Sequence, residues 1–293
     1  MIPQTISEMF EAWDEYHLIN GELLRLTERL PASGLGEVIR YVLTTPGKRV
    51  RPLILVLSSK AFGCDAAESV RAALALELVH AASLVHDDIL DGGTERRGVE
   101  SALKRYGMEA ALLCGDYLIS RSIGLISGYS QEVIEAFSQA CVEMSEGEML
   151  DLASRTRPED YYLCICKKTA SLISASSKIG CLIAGARADD VALFESYGMH
   201  LGLAYQVADD LNEFLGMEKG KSSAKTSATL PVIYRRDHSA EATVRLCAEA
   251  IRVHCRAAKR ALAEAGGDEE VKGRLGSIVD KWGEECKSLK DRY

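Results

Sequence analysis

Three aspartates in the run HDDILD (Asp87, Asp88 and Asp91) carry the first chemical signal in the chain. On a helix, positions 87 and 91 share a face one turn apart, with 88 alongside. Carboxylates at that spacing repel one another unless a cation or hydrogen bonds compensate. A second set with the same spacing, Asp209, Asp210 and Glu213, lies in YQVADDLNEF. Each set follows a strongly apolar stretch, so each stands where a buried helix meets polar space. One such set reads most simply as a solvated helix end; two with matching spacing point to a shared task. Hard carboxylate oxygens suit Mg2+, which keeps several waters and bridges to phosphate oxygens. Two facing clusters are expected to hold several Mg2+ ions around one diphosphate.

The cations fit the same chemistry. GKRVRP carries Lys48, Arg49 and Arg51 near the start of a helix, and ERRG places Arg96 and Arg97 just beyond the first aspartates. A guanidinium fork matches phosphate oxygens in pairs, whereas an ammonium is a compact point charge. Taken singly, each is an ordinary exposed base. The chain has a formal charge of −8, with 35 Lys and Arg against 43 Asp and Glu. In that setting, basic groups flanking Mg2+ ligands suit a substrate with more than one phosphate group. The negative balance also argues against a nucleic-acid partner, which needs a basic face. No nucleophile elbow or Cys–His pairing is evident.

Helices must hold these residues. The six prolines stand at 3, 31, 46, 52, 158 and 231, leaving long intervals rich in Ala, Leu and Glu. In 65–91, Leu74, Leu78, Ala81, Val85 and Ile89 recur every three or four residues. Asp65 with Glu68 has the form of a capping box, and Gly63 suits the end of the preceding helix. Further helices are predicted over 109–127, 130–153, 158–186, 190–215 and 239–265, with Pro158 in a first turn and Gly266-Gly267 as a stop. The segment 216–229 reads as a loop. No alternating run is long enough for a sheet. At 47% hydrophobic and 27% charged residues, the 293-residue chain can bury a substantial core. The expected fold is a single all-α domain over 1–293, a bundle of long helices. Nine cysteines without a CxxC pair read as reduced thiols of a cytoplasmic protein. No apolar run is long enough for a transmembrane segment, and MIPQTISEMFEAWDE lacks the form of a secretory signal.

Taken in order, GKRVRP, DDILD followed after four residues by RRG, KTA and YQVADD resemble the trans-type isoprenyl diphosphate synthases, also called polyprenyl synthetases. The resemblance runs from about residue 40 to 235. It implies helices around a central cavity, as in the isoprenoid synthase type, a homodimer, and an Mg2+-dependent prenyltransferase. The reaction implied joins an allylic diphosphate to isopentenyl diphosphate and releases diphosphate. The allylic C–O bond ionises, the isopentenyl double bond attacks the cation, and the departed diphosphate takes the final proton. By the same resemblance, Asp87, Asp91 and Asp209 match the metal ligands, with Asp88, Asp210 and Glu213 in support. Lys48, Arg51, His80 and Arg97 match isopentenyl diphosphate contacts, and Arg96 and Lys168 match allylic diphosphate contacts. Lys168, Thr169 and Gln206 match groups at the reacting centre. Seen alone, His80 reads as a core histidine and Lys168 as a solvated helix lysine; EGEMLDL, at 146–152, reads either as a family segment or as a solvated acidic face.

The sequence also departs from the family. Glu213 stands where Asp is usual, and Pro46 precedes GKR where a second Gly is common. The longer loop that normally follows the second motif is reduced to GKSSAKTSATLP, where Lys221 or Lys225 is expected to supply a diphosphate contact. That shortened loop motivates a competing reading, a non-catalytic or regulatory subunit. A class I terpene cyclase competes less well, because DDLNEFLGM lacks its second metal motif. Ala82 and Ser83, five and four residues before Asp87, are small where bulky aromatics block the growing tail in short-product family members. Products beyond C15 are therefore expected, chiefly C20 to C25, with Ile119, Ile123 or Ile126 as a floor.

Overall fold

The proline-free intervals fold as helices, and their ends fall where the punctuation places them. The computed structural model describes residues 6–153, 156–216 and 228–290. The chain clusters into two compact units, the first holding described residues 6–53 and 67–130, the second 54–66, 131–153, 156–216 and 228–290.

The first unit starts with α1 (Ile6–Glu11), α2 (Asp14–Glu28) and α3 (Gly34–Thr44), and takes in the start of α4 (Val50–Lys60). Nearly all of α5 (Ala66–Asp91) lies in this unit, and is buried without a break from Ala72 to Val79. A helix apolar all round is one enclosed by others, and each fully buried Leu or Val in it contributes about 1.5–3 kcal/mol. At its C-terminus, Gly92 takes φ 64° and the Gly93 N–H donates to the Asp88 carbonyl at 2.8 Å, the bond of a Schellman stop. A short antiparallel pair follows, β1 (Glu95–Arg96) and β2 (Val99–Glu100), with Arg96 opposite Val99. The two turn residues, Arg97 and Gly98, have φ 55° and 80°, the left-handed pair of a type I′ hairpin turn. No strand was expected here; the pairing is two residues long, too short to show as alternation. The unit closes with α6 (Ala102–Tyr106) and α7 (Met108–Ile126).

The second unit contains α8 (Gln131–Leu152), α9 (Pro158–Ile165), α10 (Ser171–Ile183), α11 (Ala188–Phe214), α12 (Leu230–Tyr234), α13 (Ala240–Glu264) and α14 (Glu269–Lys290). Here α11 is central, packing on α9, α10, α12, α13 and α14 through a core that includes Phe194, Tyr197, Leu201, Val207 and Leu211. The helix expected over 158–186 is not continuous: Cys166–Ala170 form a π-helical turn between α9 and α10. π turns are rare and concentrate at functional sites. Two glycines admit neighbouring helices to this one. A Cβ on Gly147 of α8 would stand 2.2 Å from the Lys168 nitrogen, and one on Gly202 of α11 2.6 Å from the Ala170 Cα. No helix among the described residues is long and apolar enough to cross a membrane.

Candidate functional site

In the first unit the two basic motifs meet. Arg97 Nη1 donates to the Pro46 carbonyl at 2.9 Å, so the residue that departs from the family pattern still anchors its partner motif. Gly47 lies beneath the same guanidinium: an added Cβ would stand 2.3 Å from Arg97 Nη1. Arg49 and Arg97 are the two non-glycine residues with positive φ among those described, at 52° and 55°. Such backbone costs on the order of 1 kcal/mol or more and persists where its surroundings hold it. At Arg49 the holding groups are plain. Its Nη1 pairs with Glu77 Oε1 at 2.5 Å, and Nη2 donates to the Leu43 and Thr45 carbonyls at 3.0 and 3.4 Å. Both charged side chains are below 10% exposed. With Arg49 turned inward, Lys48 is exposed and Arg51 Nη1 reaches His80 Nε2 at 3.1 Å. Arginine has no lone pair to offer, so Nε2 accepts and the His80 proton sits on Nδ1. Burial, then the charges of Arg51, Arg97, Arg96 and Arg49, hold His80 well below its usual pKa, as a neutral imidazole. His80, Glu77, Asp88, Arg96 and Arg97 line one pocket with Tyr41.

The two acidic sets share a pattern that spacing alone does not reveal. Asp88 is buried, and its two oxygens take the Arg96 fork, Nη2 to Oδ1 at 2.5 Å and Nε to Oδ2 at 3.4 Å. Burial raises its pKa and Asp91 adds to the rise, against the lowering by Arg96. Asp87 and Asp91, one turn apart, stay half-buried in the last turns of α5. In the second unit Asp210 is likewise buried and takes Tyr161 Oη at 2.6 Å and Gln206 Nε2 at 2.9 Å. Asp209 is half-buried, and Glu213 is exposed in the last turn of α11. Each inner aspartate is thus held by hydrogen bonds while the outer pair lies at a helix C-terminus, where the helix dipole disfavours anions and favours cations.

The π-helical turn brings the remaining second-unit residues together. Lys168 Nζ pairs with Glu148 and, at 2.9 Å, with Asp151 Oδ2, while Lys167 pairs with Glu146. The acidic segment 146–151 is therefore more than a solvated face: Glu148 and Asp151 grip Lys168. Thr169 Oγ1 donates to Gln206 Oε1 at 2.9 Å, and the Gln206 amide in turn donates to Asp210. Tyr161, Gln206 and Thr169 thus form one chain of hydrogen bonds through the Asp210 carboxylate. Burial and the Asp210 charge push the Tyr161 phenol well above its usual pKa, so it remains a donor. Sequence reasoning passed over Glu77 and Tyr161. A charge inside ALALELVH was a usable sign for the first; Tyr161 has none, being one aromatic in an apolar run.

Ala82 is buried and Ser83 half-buried, its hydroxyl donating to the His80 carbonyl at 2.9 Å. Of the three isoleucines expected as a floor, Ile126 is buried, Ile119 half-buried and Ile123 56% exposed. Lys221 and Lys225 lie outside the described residues, as does most of the 216–229 loop. Among the described residues, no three His, Cys, Asp or Glu side chains are gathered into a metal cage.

The polyprenyl synthetase family model matches residues 33–265. The chain is 42% identical over 273 residues to a geranylfarnesyl diphosphate synthase of Methanosarcina mazei, covering 92% of both chains. It is 32% identical to a geranylgeranyl diphosphate synthase of the same organism, covering 86% of this chain and 83% of that one. Among solved structures, a geranyltranstransferase from Methanosarcina mazei superposes with a TM-score of 0.82 at 37% identity, over 95% of this chain and 99% of that one. A geranylgeranyl pyrophosphate synthetase from Geoglobus acetivorans gives 0.85 at 27% identity, over 96% and 99%. Ordered motifs, helical fold and these likenesses lead to one conclusion: the chain belongs to the polyprenyl synthetase family.

Proposed function

We propose that this prenyltransferase extends an allylic diphosphate with isopentenyl diphosphate and yields linear prenyl diphosphates of C20 to C25. The observation that carries the proposal is that Arg51 meets His80 and Arg97 meets Pro46, while His80, Asp88, Arg96 and Arg97 line one pocket of the first unit. The names of the geranylfarnesyl and geranylgeranyl relatives support the product range.

The donor set fits Mg2+. Asp87 and Asp91 offer hard oxygens on one helical face, too few for a cage and suited to an ion that keeps its waters and bridges to phosphate. Asp209 offers the same in the second unit. When bound, Mg2+ stabilises the charge that develops on the leaving diphosphate. Asp88 is turned toward Arg96 and supports the ligand turn without competing for the ion. Lys48, Arg51 and Arg97 bind the isopentenyl diphosphate, and the neutral His80 adds a donor at Nδ1 without adding charge. Arg96 and Lys168 bind the allylic diphosphate, with Glu148 and Asp151 holding the lysine until the stronger anion takes it. The Asp210 charge, passed through the Gln206 amide, polarises the Thr169 hydroxyl oxygen toward a developing allylic cation. The departed diphosphate takes the final proton, so no side-chain base is needed.

A homodimer is proposed on the face of α7, where Met108, Leu112, Leu113 and Ile123 are exposed. Eight free cysteines among the described residues support a cytoplasmic setting. Steady-state kinetics with each substrate varied in turn test the pocket assignment. Arg51→Ala is expected to raise the KM for isopentenyl diphosphate about tenfold or more, the loss of one charge-assisted contact, and Lys168→Ala to act on the allylic substrate. The opposite assignment of effects would overturn it.

A further inference from the structure

We infer that His86 is a specificity-determining residue of the allylic site, its imidazole forming the wall against which the first isoprene unit lies, the one bonded to the diphosphate. This rests on the proposed function and adds a residue to it. His86 belongs to α5 and directly precedes Asp87, and no step above uses it. Its ring points at α7. A Cβ added to Gly115 would stand 2.1 Å from His86 Nε2, 2.6 Å from Cδ2 and 2.8 Å from Cε1. The tip of the imidazole therefore occupies the notch that the missing side chain leaves, a close approach that only glycine permits. Nε2 is buried and has no hydrogen-bond partner among the described residues, and Asp116 Oδ1 lies beyond it at 4.0 Å.

The ring keeps 29% of its side-chain surface exposed, and its place on the helix says where that surface looks. On one flank of His86, Ala82 and Val85 are buried. On the other, Ser83 and Asp87 are half-buried and Leu90 is 51% exposed. The open flank is thus the one that bears a metal ligand and Ser83. His86 stands three residues nearer the ligands than Ser83, a rise of about 4.5 Å, close to the length of one isoprene unit. A tail that leaves a diphosphate at Asp87 and runs toward Ser83 meets the imidazole first. With its polar tip turned into α7, the ring offers the tail its apolar body.

Steady-state kinetics with C5, C10, C15 and C20 allylic primers test the assignment. Every primer carries the first unit, so His86→Ala should raise the KM of each about fivefold or more, the C5 primer included. The KM for isopentenyl diphosphate should not change. Ser83→Phe, one turn deeper, should spare the C5 primer. His86→Gln keeps the reach to α7 and should stay near the wild type. Gly115→Ala should raise the allylic KM values by pushing the ring onto the open flank, and adding His86→Ala should return them to those of His86→Ala alone. Should Gly115→Ala fail to fold, the two His86 variants carry the test. An unchanged allylic KM in His86→Ala, an equal rise for isopentenyl diphosphate, or an effect confined to the longer primers would overturn the role of His86 while the wild type still elongates. No elongation by the wild type would overturn the proposed function and this role together.

Discussion

Tyr161 illustrates how a residue with no sequence signature acquires a role. Its hydroxyl takes one oxygen of the buried Asp210, and the other oxygen fixes the Gln206 amide so that its carbonyl meets Thr169. Tyr161→Phe removes one charge-assisted hydrogen bond and leaves the ring in place. Turnover should fall about five- to twentyfold with little change in either KM, the weight of roughly 1–2 kcal/mol. Unchanged turnover would show that the orientation of Gln206 does not depend on this phenol. Glu77 acts differently, by stabilising the inward turn of Arg49. Glu77→Ala leaves that guanidinium buried without its counter-ion, a change that costs about 3–5 kcal/mol. Thermal unfolding should report it as a Tm lower by on the order of 10 °C. A near-normal melting temperature would mean that the Leu43 and Thr45 carbonyls suffice to hold Arg49.

Among the elements, the long helices were legible and the irregular turns were not. The expected 65–91, 109–127, 130–153, 190–215 and 239–265 correspond to α5, α7, α8, α11 and α13 within a residue or two at either end. Their apolar period and flanking glycines speak directly of helix. The break at Cys166–Ala170 left no trace because CKKTA has ordinary helix formers; what makes the turn tolerable is the approach of Gly147 and Gly202 from other helices, which is tertiary information. RRG announced basic chemistry but not the left-handed turn that presents it. Of the site, residue types and order were readable, whereas the inward rotation of Asp88 and Asp210 depends on partners eight and 49 positions away in the chain. Product length belongs to this scale too. Ser83, half-buried on α5 four residues before Asp87, is proposed to leave room for the tail. Ser83→Phe should shorten the product while turnover persists; Ala82→Phe should do the same, with about 1–3 kcal/mol of overpacking at its buried position. Product chromatography showing the wild-type length from Ser83→Phe would move the tail to another face.

For the molecule as a whole, composition narrowed the field and the ordered motifs placed it: an acidic chain with basic patches beside paired carboxylates matches the polyprenyl synthetase model over residues 33–265. The segment after the second acidic set, GKSSAKTSATLP, raises the competing reading of a non-catalytic subunit. One measurement separates the readings. Purified protein is incubated with Mg2+, isopentenyl diphosphate and a C5, C10, C15 or C20 allylic primer, and the products are resolved by chromatography. Linear prenyl diphosphates beyond C15, chiefly C20 to C25, are expected, and they should disappear in excess chelator and in Asp87→Ala while the helical circular dichroism of that variant is retained. No elongation from any primer, a wild-type product that stops at C15, or near-normal turnover by Asp87→Ala would contradict that expectation.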